Sequence, residues 1–259
     1  MATILPKQKL SVSYFRNSES NGLYEHCFVL CRGLLICLQI FHYKGPGVLF
    51  FGPALLKGVK MELNIQTAEL ALREASEANP GAWADHSRFV AEACKNIASH
   101  CKDLSSEQAY IFGLLHDIGR YAGVSSERHL IDGYRYCMER GWEKAAQICI
   151  SHAFMIQDIA TSIGVFDVSD EDYLFMKEFV ANAVYDDYDR LVQLCDALAM
   201  PSGFCLLEKR FVDVTMRYGV HPATIDRWKK ILEIKEQFED QIGCSIYALL
   251  PGVMENSFR

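Results

Sequence analysis

The run Gly113-Leu114-Leu115-His116-Asp117-Ile118-Gly119-Arg120 sets two polar side chains at the end of an otherwise apolar stretch. Burying an imidazole and a carboxylate there is costly unless something satisfies them. A divalent cation does so, because imidazole nitrogen and carboxylate oxygen are both good ligands for first-row metals. A carboxylate can also bridge two ions through its two oxygens. Four more residues repeat the pattern of a lone polar ligand on an apolar segment. They are His86, His129 (at the start of His129-Leu130-Ile131-Asp132-Gly133-Tyr134), His152 after Ile148-Cys149-Ile150, and Asp196 within Leu191–Ala199. Each taken singly reads more readily as a core histidine or a capping aspartate. Six together do not, since buried carboxylates need compensating charge and no Lys or Arg lies inside these apolar runs. The collective reading is a metal cage. Such a centre makes hydroxide from bound water near neutral pH and clamps a phosphoryl oxygen as charge develops.

The elements that must position these residues are helices. From Met61 onward the apolar periodicity is helical, with no sustained strand-type alternation. Over Ala82–His100 the residues His86, Phe89, Val90, Ala93, Cys94 and Ile97 fall on one face. Ser105 with Gln108 three residues later is a capping-box start for a helix reaching about Asp117, with Gly119 and Gly123 marking its exit. Further helices are predicted over 126–140, 143–162, 169–184 (Ser169 as N-cap), 187–199, 203–218 and 221–242. Arg120 is the first candidate for a substrate phosphate contact, a planar fork suited to phosphate; a solvated helix-end residue is the equal alternative. Lys209-Arg210 is a weaker candidate and reads as surface. The acidic run from Tyr185 to Asp189 reads either as support for a metal or as acid clustering at a helix start. Asp85 reads as exposed.

His86, His116-Asp117 and Asp196 in this order resemble the HD superfamily of metal-dependent phosphohydrolases, over about residues 80–200. His129, followed by Gly133, and His152 resemble the extra histidines of its binuclear branch. The resemblance implies an all-α fold, a single HD-type helical bundle over 61–259. It implies His86, His116, Asp117, His129, His152 and Asp196 as ligands of one or two divalent ions (Mn, Fe, Mg, Ni or Zn), with Asp117 as the bridge. His116, Asp117 and Arg120 are then the expected catalytic residues. The expected activity is hydrolysis of a nucleotide or other small phosphate ester. Two alternatives stay open: a diiron oxygenase acting on a small polyol or phosphonate, and a metal-binding sensor module without turnover. Many relatives have Lys where this chain has Arg120. The Gly-Tyr-Pro signature and paired histidines of the cyclic-dinucleotide branch are missing, Ala153 following His152, which puts that substrate in doubt.

A net charge of −7 argues against a partner such as a nucleic-acid polymer held by a basic surface. The ten cysteines form no Cys-x-x-Cys pair, and most from Cys94 onward occupy apolar helical positions, as expected in a reducing cytoplasm. Residues 1–60 differ from the rest, carrying a charge of +5 against −12 for the remainder. Their longest clean apolar runs, Gly33–Phe41 and Pro46–Leu56, fall short of the ~20 residues of a membrane span. They read as a poorly structured N-terminal extension. Upstream sequence translated from a misplaced start is the favoured explanation, since Lys57-Gly58-Val59-Lys60 is what an in-frame purine-rich ribosome-binding sequence encodes. A targeting or membrane-associating extension and a real subdomain are the alternatives. Intact mass of the native protein is expected to show a chain beginning at Met61; one beginning at residue 1 or 2 refutes the misplaced start.

Overall fold

Asn64 opens the first helix, α1 (Ile65–Ala78), with a reciprocal cap. Its side chain accepts from Thr67 N while the Thr67 hydroxyl accepts from Asn64 N. Then follow α2 (Trp83–Ala98), α3 (Ser106–Leu115), a short 3-10 helix (Ile118–Ala122), α4 (Arg128–Met138) and α5 (Glu143–Ser151). After a 3-10 turn at Ile159–Thr161 come α6 (Asp170–Asn182), α7 (Asp187–Ala197), α8 (Leu207–Tyr218), α9 (Thr224–Ile242) and α10 (Val253–Ser257). This computed structural model describes residues 12–17, 24–31, 34–41 and 62–258. The chain divides into two compact units, Met1–Val59 and Lys60–Arg259.

In the first unit the described residues are three strands, Val12–Asn17, Tyr24–Cys31 and Leu34–Phe41, paired antiparallel in that order. Val12 pairs with Val29, and Tyr24 with Phe41. Bilayer length was the test that the sequence invited for these runs, and it says nothing about strand pairing. The rest of the N-terminal extension lies outside the described residues.

The second unit is the expected helical domain, and three glycines set how closely its helices approach. A Cβ on Gly113 of α3 would stand 2.5 Å from Ala91 Cα, so α2 and α3 cross backbone to backbone. A Cβ on Gly119 would stand 1.9 Å from His129 O and 2.3 Å from Gly133 N, which locks the 3-10 helix against α4. One on Gly133 would stand 3.0 Å from Cys149 Sγ of α5. The corner bearing His116 and Asp117 is thereby pressed onto α4 and, through it, onto α5. Around this contact the core closes with fully buried Leu114, Leu115, Ile118, Ile148, Leu191 and Leu194. A second cluster, including Leu130, Ile150, Phe154 and Met176, packs α6 against α4 and α5. Cys94, Cys101, Cys137, Cys149, Cys195 and Cys205 are free and buried, behaving as small apolar residues.

The helix predicted over 143–162 ends at Ser151. Tertiary donors take the carbonyls that further turns would need: Gln193 Nε2 reaches Ser151 O at 2.8 Å, and Arg227 reaches Ala153 O at 3.0 Å. The segment predicted as helix from 203 begins instead at Leu207. Before it, Ala199–Met200 pairs antiparallel with Gly203–Phe204, and Gly203 adopts φ +138°, a conformation that disfavours other residues. Among the described residues, no helix is long and apolar enough to cross a membrane.

The backbone contact at Gly119 generates a prediction. Gly119→Ala is expected to destabilise the protein by about 3 kcal/mol or more, because the clash is with main chain that cannot step aside. Denaturant unfolding of the variant beside the wild type measures it.

Candidate metal centre

Four imidazoles and two carboxylates converge where α2, α3, α4, α5 and α7 meet. His86 lies on the buried stripe of α2, and His116 and His152 are the C-cap residues of α3 and α5. His129 sits in the first turn of α4, and Asp196 in the last turn of α7. Asp117 starts the 3-10 helix. Asp196 is half-buried; the other five are buried. His86, His116 and Asp117 offer ligand atoms that all lie within 4.8 Å of one another, and so do Asp117, His129 and His152. Asp117 belongs to both groups. Asp196 joins through His86, its Oδ1 being 2.9 Å from His86 Nε2.

Main-chain carbonyls orient three of the rings. His116 Nδ1 donates to Gly113 O at 2.7 Å, His152 Nδ1 to Ile148 O at 3.1 Å, and His129 Nδ1 to Ser126 O. With the proton held at Nδ1, each ring turns an Nε2 lone pair toward the cluster. Nothing in the protein uses that of His116: its Nε2 is buried without a hydrogen-bond partner, as are His86 Nδ1 and Asp117 Oδ1. Buried nitrogen and carboxylate atoms left without a partner are costly; His116 Nε2 lies 3.9 Å from Asp117 Oδ2, while Asp117 Oδ1 faces His129 Nε2 at 3.2 Å and His152 Nε2 at 3.7 Å. Ligands at right angles about 2.1 Å from one ion stand about 3.0 Å apart, close to the 2.9 Å between His86 and Asp196. The residues fit a divalent ion.

The charges agree. Burial opposes ionisation of Asp117, yet the Arg120 guanidinium holds its carboxyl well below the usual range. Burial likewise opposes ionisation of Asp196, and the hydrogen bond from His86, together with Arg210, brings it well down. Burial pushes His116 down to about 4 against the opposing pull of Asp117 and lowers His152 too. Both rings are therefore neutral at pH 7, the form that ligates metal.

Arg120, expected to meet substrate, turns inward. Its Nε lies 2.6 Å from Asp117 Oδ2 and its Nη2 3.3 Å from His129 Nε2. Burial alone would lower its pKa; Asp117 reverses the sign. Arg210, read from sequence as surface, is mostly buried beside Asp196, with 3.5 Å between Nη2 and Oδ1. Asp85 is exposed, as expected. Of the acidic run, Asp186 caps α7, while Asp189 is fully buried, bonded to Lys144, Gln147 and Ser151. That network ties α5, which ends at His152, to α7, which carries Asp196.

The cluster lies along a cavity of about 540 Å³, within the usual range for small-ligand sites. Trp83, Phe211, Trp228 and Arg227 also line it. Arg227 went unnoticed in the sequence, where it is one cation in the amphipathic α9. Here one nitrogen donates to Ala153 O and Thr161 O, and among the described residues no carboxylate lies within ion-pair distance. Burial pushes this guanidinium below its usual value.

The lowered imidazoles set a pH dependence. Below pH 6.5 the unfolded chain takes up protons that His116 in the fold refuses until about pH 4. Stability of the EDTA-dialysed chain is therefore expected to fall between pH 6.5 and 4, by on the order of 3 kcal/mol from this residue. The depressed carboxylates add a loss of the same sign at lower pH. Urea unfolding at several pH values measures it, and stability that stays flat over this window contradicts a neutral buried His116.

Comparison of the chain with curated proteins and with solved structures gives no match. Among protein families, the HDOD domain, an HD-like domain, matches residues 68–147, which takes in His86, His116, Asp117, Arg120 and His129 but ends before His152 and Asp196.

Proposed function

We propose that this protein is a metal-dependent phosphohydrolase acting on a nucleotide or another small phosphate ester. The observation that carries the reading is the convergence of ligand atoms of His86, His116 and Asp117 within 4.8 Å of one another, with His116 Nε2 and Asp117 Oδ1 buried and unpartnered, beside a cavity of metabolite size that His86 and Asp117 line. His86, His116, Asp117 and Asp196 hold the ion, with His129 and His152 on the far side of Asp117. A bound divalent ion supplies an activated water and neutralises charge on a phosphoryl oxygen.

The protein's own groups do the rest. Gly113, Ser126 and Ile148 carbonyls keep the proton on Nδ1 of three rings, so that none competes with the ion. Arg227, whose guanidinium makes no ion pair among the described residues although Glu127 and Asp196 lie in its field, offers donors to an anionic group on the substrate. Trp83, Phe211 and Trp228 give the organic part an apolar wall. Phe211 and Trp228 stack on each other at 5.0 Å, nearly parallel, so that this wall is firm.

A panel of phosphate esters incubated with Mn(II) tests the reading. Phosphate release that disappears on chelation is expected, together with a loss of about a hundredfold or more in folded His116→Ala and Asp117→Ala proteins. Oxygen consumption by an iron-loaded protein without phosphate release would favour the oxygenase alternative. A bound ion with neither activity would favour the binding module.

A further inference from the structure

Glu127, at the N-cap of α4, is a buried carboxylate that the metal centre does not use. It is 7 % exposed, lines the cavity and makes no ion pair among the described residues. Ser162 Oγ donates to its Oε1 at 2.7 Å, and among the described residues Oε2 receives no hydrogen bond. A buried carboxylate held by one neutral hydroxyl is costly, yet the chain is built closely around it. A Cβ on Gly164 would stand 2.0 Å from Glu127 Oε1, so a side chain there would push the carboxylate out of place. Glu127 N donates to Val165 O at 3.2 Å, and Val165 N to Ser126 Oγ at 2.9 Å. The Asp167 carboxylate accepts from Ser126 N and Arg128 N. Two loops thus clamp Glu127 in position. Ser125 lines the same cavity, and its hydroxyl is buried without a partner.

We propose that Glu127 and the Ser125 hydroxyl form a subsite for the hydroxyl groups of a sugar or polyol, so that the substrate is a phosphate ester of a hydroxylated carbon skeleton. The proposal deepens the phosphohydrolase reading and rests on it. Charge selects the ligand. Arg227 lines the same cavity, and Glu127 lies in its field without forming an ion pair. An ammonium group would be drawn to Glu127 but repelled by Arg227 and by a bound metal ion. A phosphate group would be drawn to Arg227 and repelled by Glu127. A hydroxyl carries no charge, donates to a carboxylate, and accepts from a guanidinium or a serine. The phosphate end of the ester then goes to the ion and Arg227, and its hydroxyls go to Glu127. A clamped carboxylate cannot turn away to find another partner. A substrate without the hydroxyl leaves it unpaired, which is how a polar site rejects such an analogue.

The experiment compares esters of equal carbon skeleton on the Mn(II)-loaded full chain: ribitol phosphate against n-pentyl phosphate, and glycerol phosphate against n-propyl phosphate. In each pair kcat/KM is expected to favour the hydroxylated ester by about tenfold to a hundredfold. Glu127→Gln, which keeps the shape and removes the charge, is expected to cut that ratio by about tenfold. A merely structural role would lower both members of a pair alike. Should Glu127→Gln fail to fold, Glu127→Asp, which withdraws the carboxylate by one methylene, takes its place. Equal turnover within each pair, or a preference for phosphoethanolamine over glycerol phosphate, overturns the proposal and leaves the hydrolase reading standing. Turnover of no ester overturns the hydrolase reading, and calorimetric binding of the same pairs then decides the subsite. Tighter binding of the hydroxylated member upholds it; equal affinity, or no binding of either, overturns it.

Discussion

An ionised carboxylate buried at 5 % exposure is the constraint around which the site is arranged. Taken from water, the charge of Asp117 is tolerable only with cations or strong donors against it. Arg120 supplies one such partner, at Oδ2, and the other oxygen is left without a hydrogen bond. The arrangement satisfies half of the carboxylate and leaves the other half facing the His129 and His152 rings, at 3.2 and 3.7 Å. No packing argument accounts for this, since an asparagine or leucine would avoid the cost. The cost is explained if Oδ1 has a partner that the polypeptide does not provide.

Helix ends make the arrangement feasible. His116 and His152 each stand at a helix C-terminus, where carbonyls have no partner further along the helix. The ring of each donates Nδ1–H to a carbonyl three or four residues back. One hydrogen bond thus satisfies an orphan acceptor, selects the tautomer and aims Nε2. The approach of these ends to one another then depends on places with no side chain. Gly119 against His129 O and Gly133 N brings two main-chain segments closer than any Cβ would permit, and Gly133 lets the Cys149 side chain of α5 pack tightly against α4. Precision at the site is inherited from backbone contact, which is stiffer than side-chain packing.

Much of this was legible in the sequence. A lone histidine on an apolar face announces itself by cost, and His86, His116, His129 and His152 are all found buried and converging with Asp117. Ser105 and Ser169 cap helices as their spacing indicates. Tertiary donors were not legible. Nothing in 143–162 signals that Gln193 and Arg227 will take carbonyls beyond Ser151 and end the helix there. Arg120 could be placed near phosphate chemistry by type, but its direction depends on Asp117 and His129 being neighbours, which is a fact of the fold. Arg227 carries no local signal, since one arginine on an amphipathic helix is most often solvated.

Charge balance within the cavity connects these points to the choice of ligand. Arg120, Arg210, Arg217 and Arg227 line it, and so do Asp117, Glu127, Asp196 and Asp213. Four cations meet four anions, and the buried imidazoles His116 and His152 add no charge near pH 7. The polypeptide alone therefore gives an anionic ligand no net attraction, and the acidic exterior of a chain with net charge −7 repels it. A divalent ion changes the sign of the cavity without changing that of the surface. A small anion that can enter gains from the ion and from Arg227 together.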